Sequence, residues 1–116
     1  MSEESAWKRY LTNAFSLGML TRPKADVLVK EITLERAIEL MQEKFISAVG
    51  HEATAQFITQ LTGIPVSTNR INVALRDGDE LLVFQLLGRL PEGKILTIEE
   101  MKNIPYKIYH ILIDYC

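Results

Sequence analysis

The stretch Leu81–Leu87 limits the possible folds more than any other part of this chain. It reads Leu-Leu-Val-Phe-Gln-Leu-Leu, almost continuously apolar, with Gln85 the one polar residue. Seven such residues are too few for a typical helix. A run of this kind suits a strand covered on both faces, hence the centre of a sheet. A central strand needs neighbours. Trp7–Thr12 reads as a first strand and Ala25–Ile32, with Val27 and Val29, as a second. Asn69–Arg76 alternates Ile71, Val73 and Leu75 against Arg70, Asn72 and Arg76, which predicts a strand with one polar face. Asp77-Gly78-Asp79 is a tight-turn signal that would join it to Leu81–Leu87 as a hairpin. Tyr106–Asp114 is the last strand.

Helices fill the intervals. Thr33 is placed to cap a helix from Leu34 to about Phe45, with Ile38, Met41 and Phe45 at helical spacing. A second runs from Glu52 to Thr62, with Phe57, Ile58 and Leu61 on its apolar side and Gly63 and Pro65 to stop it. Thr97-Ile98-Glu99-Glu100 fits a capping box and opens a short helix that Pro105 ends. Residues 88–94 read as a loop, and residues 1–6 as a frayed tail. The order β β α α β β α β predicts one α/β (α+β) domain over residues 1–116, with a five-stranded mixed sheet flanked by helices. Regular βα alternation is absent, which argues against a Rossmann sheet.

Composition narrows the function classes. The chain has 116 residues, 47% of them hydrophobic, which is ordinary for a globular protein. Its lone cysteine, Cys116, cannot form an internal disulfide. The start, Met-Ser-Glu-Glu-Ser, lacks the features of a secretory signal, and no apolar run approaches the ~20 residues of a membrane helix. A cytoplasmic protein with no membrane partner is expected. The net charge of −2 makes duplex DNA a poor partner, because duplex binders neutralise many phosphates with a basic excess. A small ligand with few phosphates needs only a handful of arginines.

Metal and cofactor motifs fail. His51-Glu52 opens like His-Glu-x-x-His, but the second histidine position is Ala55. There is no Cys-x-x-Cys, P-loop or Gly-x-Ser-x-Gly. Metal-independent chemistry with no cofactor is therefore expected. What remains is a set of polar residues: Asn13 and Ser16 after the first strand, His51 at a helix start, Arg70, Gln85 inside an apolar strand, and Arg89, Glu92 and Lys94 in one loop. Each has a bland alternative. Asn13 and Ser16 suit a turn or cap, His51 a structural helix start, and the arginines a solvated surface. Gln85 is harder to dismiss, because a polar residue in a buried strand needs a partner.

Four blocks together point further. Tyr10-Leu11-Thr12-Asn13-Ala14-Phe15-Ser16, Ala48-Val49-Gly50-His51-Glu52-Ala53-Thr54, Asn69-Arg70, and Gly88-Arg89-Leu90-Pro91-Glu92-Gly93-Lys94-Ile95-Leu96 occur in this order over nearly the whole chain. In this the chain resembles the type III anti-CRISPR ring nucleases of archaeal and bacterial viruses and their cellular relatives. The resemblance implies a homodimer that degrades cyclic tetra-adenylate, the second messenger of type III CRISPR defence, without metal. By position it implies catalytic roles for His51 and the acidic Glu92, phosphate binding by Arg89 and Arg70, and ligand contacts from Asn13, Ser16 and Gln85. Viral members tend to have serine where this chain has Ala53, so a hydrogen bond from that side chain is absent here.

The chemistry suits these residues. In an RNA-type phosphodiester the adjacent 2′-OH can attack. The protein then has to align it, stabilise charge on the phosphorane and protonate the departing 5′-oxygen. A histidine suits the last task. A helix N-terminus disfavours imidazolium, so a carboxylate such as Glu92 is needed to favour the charged form. A C2 dimer would present the same residues to opposite sides of a ring that contains two-fold symmetry. The alternatives are a protein that sequesters cyclic oligoadenylate without cutting it, and a nucleic-acid-binding or interaction domain.

Overall fold

The computed structural model describes residues 7–87, 99–100 and 103–115. Five strands form one mixed sheet: β1 (Arg9–Thr12), β2 (Ala25–Ile32), β3 (Ile46–Ser47), β4 (Glu80–Leu86) and β5 (Tyr106–Tyr115), in the order β2-β5-β4-β1-β3. The apolar run is indeed the central strand, β4. It pairs antiparallel with β5, Glu80 opposite Leu112, and parallel with β1, Arg9 opposite Glu80. β1 also pairs parallel with β3, and β2 pairs antiparallel with β5 from Ala25–Tyr115 to Ile32–Ile108.

One face of the sheet is covered by α1 (Leu34–Met41) and α2 (Glu52–Thr62). Thr33 Oγ1 accepts the Arg36 N–H at 3.1 Å and caps α1. The helix ends at Met41, four residues before the expected Phe45. Arg9 Nη1 donates to the Leu40 carbonyl at 3.1 Å and to Glu43 Oε1 at 3.0 Å, and the chain must turn there to lay Ile46–Ser47 beside β1. Gly63, at φ 75°, donates its N–H to the Thr59 carbonyl and closes α2 in the left-handed conformation that favours glycine. Ala37, Leu40 and Met41 of α1 and Ala55, Phe57 and Ile58 of α2 are buried in one cluster with Leu11, Leu82, Phe84 and Ile108 of the sheet.

The other face is covered by irregular chain. Residues 69–76 are not a strand, contrary to the alternating pattern, and there is no hairpin with β4. The segment lies on the sheet as an extended strap whose one β-bridge among the described residues is parallel, Leu75 to Leu20. Val73 and Leu75 are buried against Leu81, Val83, Ile111, Ile113 and Tyr115. Alternation reports an extended backbone with one buried side, and a strap lying on a sheet satisfies it as well as a strand within one. Asp77-Gly78-Asp79 does turn, with Gly78 at φ 87°, but it hands the chain from strap to β4. Buried Asp79 fastens that junction by accepting the Lys8 and Arg76 N–H groups at 2.9 and 2.8 Å. The fifth strand is the two-residue β3, too short to leave a period in the sequence. The expected tail 1–6, loop 88–94 and most of the short helix from Thr97 lie outside the described residues.

Candidate functional site

Because β1, β3 and β4 run parallel, their carboxyl ends emerge from the same end of the sheet. Open sheets with parallel strands tend to bind ligands there. After β3 the chain runs Ala48-Val49-Gly50 to His51, the N-cap of α2. The His51 side chain makes no capping hydrogen bond, is exposed, and has no hydrogen-bond partner among the described residues. The expected structural role at the helix start is therefore not what this imidazole does. The backbone alone supplies the cap conformation.

The strap brings Arg70 to this point. Asn69 donates its backbone N–H to the Val49 carbonyl at 2.8 Å and its side-chain Nδ2 to the Ser47 carbonyl at 2.7 Å. Ser47 Oγ in turn donates to the Ser67 carbonyl at 2.6 Å. These bonds clip the strap to the β3–α2 connection. Arg70 Nε donates to the Gly50 carbonyl at 2.8 Å, and its terminal nitrogens have no partner among the described residues. A Cβ on Gly50 would lie 3.3 Å from Arg70 Cγ, so glycine leaves the room that this approach uses. The result is an open cleft of about 350 Å³ lined by Ala48, Gly50, His51, Arg70, Ile71 and Asn72. It sets an exposed imidazole, a guanidinium held by its Nε and a helix N-terminus beside one another. That combination suits an anion next to a proton donor or acceptor.

The other candidates divide. Asn13 leaves β1 at the same end of the sheet, one strand over, where Ala48 N–H bonds the Leu11 carbonyl at 2.8 Å. Ser16 accepts the Gly18 N–H at 3.2 Å and caps the 3₁₀ turn Leu17–Met19, so its hydroxyl already has the bland role. Gln85 sits near the carboxyl end of β4 but is exposed, so it needs no buried partner. Cover on that face of β4 stops short of it. Arg89 and Glu92 lie outside the described residues.

Nothing local in the sequence gives Gly50 and Asn69 separate roles. Their only signal was membership of the blocks around His51 and Arg70. The chain's other histidine is His110. That residue lies in a different network: His110 Nε2 is 2.8 Å from Glu80 Oε1, which also takes Arg9 Nε at 2.9 Å. Arg9 is buried with its guanidinium 4.9 Å over the Trp7 ring. This network ties β1, β4 and β5 together at the opposite end of β1 from the cleft.

An α+β sheet with a polar cleft at the carboxyl ends of its parallel strands is the class of molecule that these features define, and comparison gives it a family. Residues 9–108 match the STIV B116-like family, and the chain belongs to that family. It is 43% identical over 102 residues to "Uncharacterized protein 26" of Sulfolobus islandicus filamentous virus (isolate Iceland/Hveragerdi), covering 86% of each chain. It is 29% identical over 99 residues to YddF of Bacillus subtilis (strain 168), covering 83% of this chain and 92% of that one. Among solved structures it resembles B116 of Sulfolobus turreted icosahedral virus, with a TM-score of 0.79 and 30% identity over 90% of this chain and 97% of that one. Among the described residues, no helix is long and apolar enough to cross a membrane.

Proposed function

We propose that this protein is a metal-independent ring nuclease that opens cyclic tetra-adenylate as a cytoplasmic homodimer and so switches off type III CRISPR signalling. The observation that carries the reading is the cleft itself. Arg70 is held by Gly50 beside an imidazole that no described residue engages. In this scheme Arg70 and Arg89 pair with the scissile phosphate, and the helix N-terminus adds its N–H groups. The ribose 2′-hydroxyl gives its proton to solvent water, and its oxygen forms a bond to phosphorus as the P–O5′ bond breaks. His51 donates a proton to the departing 5′-oxygen, and Glu92 orients His51 and favours its charged form. Asn13, Ser16 and Gln85 contact the ring, Ser16 by giving up its cap to Gly18. The products are linear di-adenylates ending in a 2′,3′-cyclic phosphate.

The test is incubation with cyclic tetra-adenylate in excess EDTA, with product separation, beside a His51→Ala variant. The expected outcome is linear product from the wild type and a rate ~10²–10⁴-fold lower in the variant, the usual worth of a positioned general acid. A ring of 2′-deoxyadenosines should bind and stay intact; its cleavage would exclude attack by the 2′-OH. Tight binding with an intact ring in both proteins would reassign the protein to sequestration. No binding at all would leave the family relationship without this activity.

A further inference from the structure

β3 ends the sheet on the side of the cleft, and β1 is its one strand partner among the described residues. Just beyond β3, Ala48 turns its N–H inward to the Leu11 carbonyl. Backbone groups alternate in direction along an extended chain, so Ser47 and Val49 turn theirs outward. Such an edge has to be covered. Here one residue takes both outward carbonyls. Asn69 gives its backbone N–H to Val49 at 2.8 Å and its side-chain Nδ2 to Ser47 at 2.7 Å. The Ser47 hydroxyl accepts the Val49 N–H at 3.4 Å. The Asn69 amide thus imitates a backbone donor. The two carbonyls lie about 6.6 Å apart along the chain, the rise of two residues. A paired strand would meet them with two residues of its own and would have to run on beside β3. Asn69 meets both from one position, so the strap is free to leave the edge at Arg70. Aspartate has no N–H to offer the Ser47 carbonyl, and the amide of glutamine sits one methylene further out.

We propose that Asn69 is the positioning residue of this cleft: it fixes the Arg70 guanidinium relative to the His51 imidazole. Asn69 is half-buried and does not line the cleft, so it acts through Arg70 and the β3–α2 connection. Each side of its clip leads directly to one of the two groups. Arg70 is the next residue along the strap, and Val49 is two residues before His51. The consequence for rate rests on the proposed ring opening, in which Arg70 holds the phosphate and His51 protonates the departing oxygen. Their spacing then governs turnover. Affinity depends on the charge of Arg70, which the Gly50 carbonyl still keeps at the cleft when Asn69 is lost. Loss of Asn69 therefore lowers turnover far more than binding, since a misplacement of about 1 Å can cost roughly 10²-fold in rate.

Two measurements test it. The first compares Asn69→Ala and Asn69→Asp with the wild type, by single-turnover cleavage of cyclic tetra-adenylate and by calorimetric binding of its 2′-deoxy ring. Asn69→Ala should cut about 10²-fold more slowly, with Kd within about threefold of the wild type. Asn69→Asp should fall at least as far, because its carboxylate faces the Ser47 carbonyl. An unchanged rate, or binding that falls as much as the rate, overturns the proposal. The second measurement uses no substrate. The chain has two histidines, so the His51 Cε1–H resonance is identified by its loss in His51→Ala. It should shift in Arg70→Ala and in Asn69→Ala, and Asn69→Ala should add nothing once Arg70 is gone. Additive shifts, or a resonance that Asn69→Ala leaves in place, overturn the assignment. So does a lowered melting temperature without this coupling, which marks a merely structural bond. Coupling in a protein that leaves the ring intact upholds the positioning and removes the nuclease reading instead.

Discussion

The two faces of the sheet are covered by different means. On one, α1 and α2 press a continuous apolar surface onto Leu11, Leu82, Phe84 and Ile108, and Phe57 and Ile58 lose almost all contact with solvent. On the other, the chain around Leu17–Thr21 and the strap 69–76 are fastened by individual hydrogen bonds. Tyr115 Oη donates to the Leu75 carbonyl at 2.8 Å and accepts the Thr21 N–H at 2.8 Å, while Thr21 Oγ1 reaches the Leu75 carbonyl at 2.7 Å. Helices satisfy their own backbone, so they can bury area and give stability. A strap leaves its polar groups to be spent on neighbours, so it can carry a residue such as Arg70 to a chosen carbonyl. The candidate site sits where the strap begins.

Phe57→Ala should break the helix-covered face with the largest effect, about 3–5 kcal/mol of stability by the usual cost of truncating a buried aromatic, read from denaturant unfolding. Tyr115→Phe acts on the strap face. It keeps the ring and removes one donor and acceptor, so the global loss should be about 1–3 kcal/mol. Hydrogen exchange should show the amide of Leu75, which bonds the Met19 carbonyl, opening more than those of α2. If the two variants loosen both faces equally, the division is wrong. Gly50→Ala should hardly change unfolding, since the position is near the surface. By displacing Arg70 it should weaken cyclic tetra-adenylate binding roughly tenfold, the worth of one charge-assisted hydrogen bond, measured by titration calorimetry. Unchanged affinity would separate Arg70 from the site.

The smallest effect concerns Tyr10, beside the turn that joins strap and sheet. Burial first, and then the Asp79 carboxylate, raise its phenol above the ordinary 10.0, with Arg76 opposing. The fold therefore favours the protonated phenol. Its contribution is complete below pH 10 and is lost as pH rises through the raised value. Tyr10→Phe should flatten the fall in melting temperature above pH 10 without changing it at neutral pH. An unchanged alkaline slope would place that fall elsewhere.

Much of the helix-covered face was legible. Ala25–Ile32 and Glu52–Thr62 carry their bounds in local chemistry, β-branched alternation in one and a terminating Gly63 in the other. The end of α1 was not, because it depends on Arg9, more than thirty residues away, claiming the Leu40 carbonyl. In the site, His51 and Arg70 were marked by the company of their neighbours, but nothing local tells that Gly50 holds Arg70. Gln85 was expected to be buried and is exposed, because a residue type in a run says nothing about where the cover ends.

The sequence by itself determined the class of fold and the central strand. Both follow from periodicity and from how many apolar residues must leave water, which neighbours along the chain settle. Tertiary structure alone decided that 69–76 is a strap, that Ile46–Ser47 is a strand, and that the Gly50 carbonyl meets Arg70. Each turns on which distant backbone group is left to pair, and that is known only once the sheet has formed.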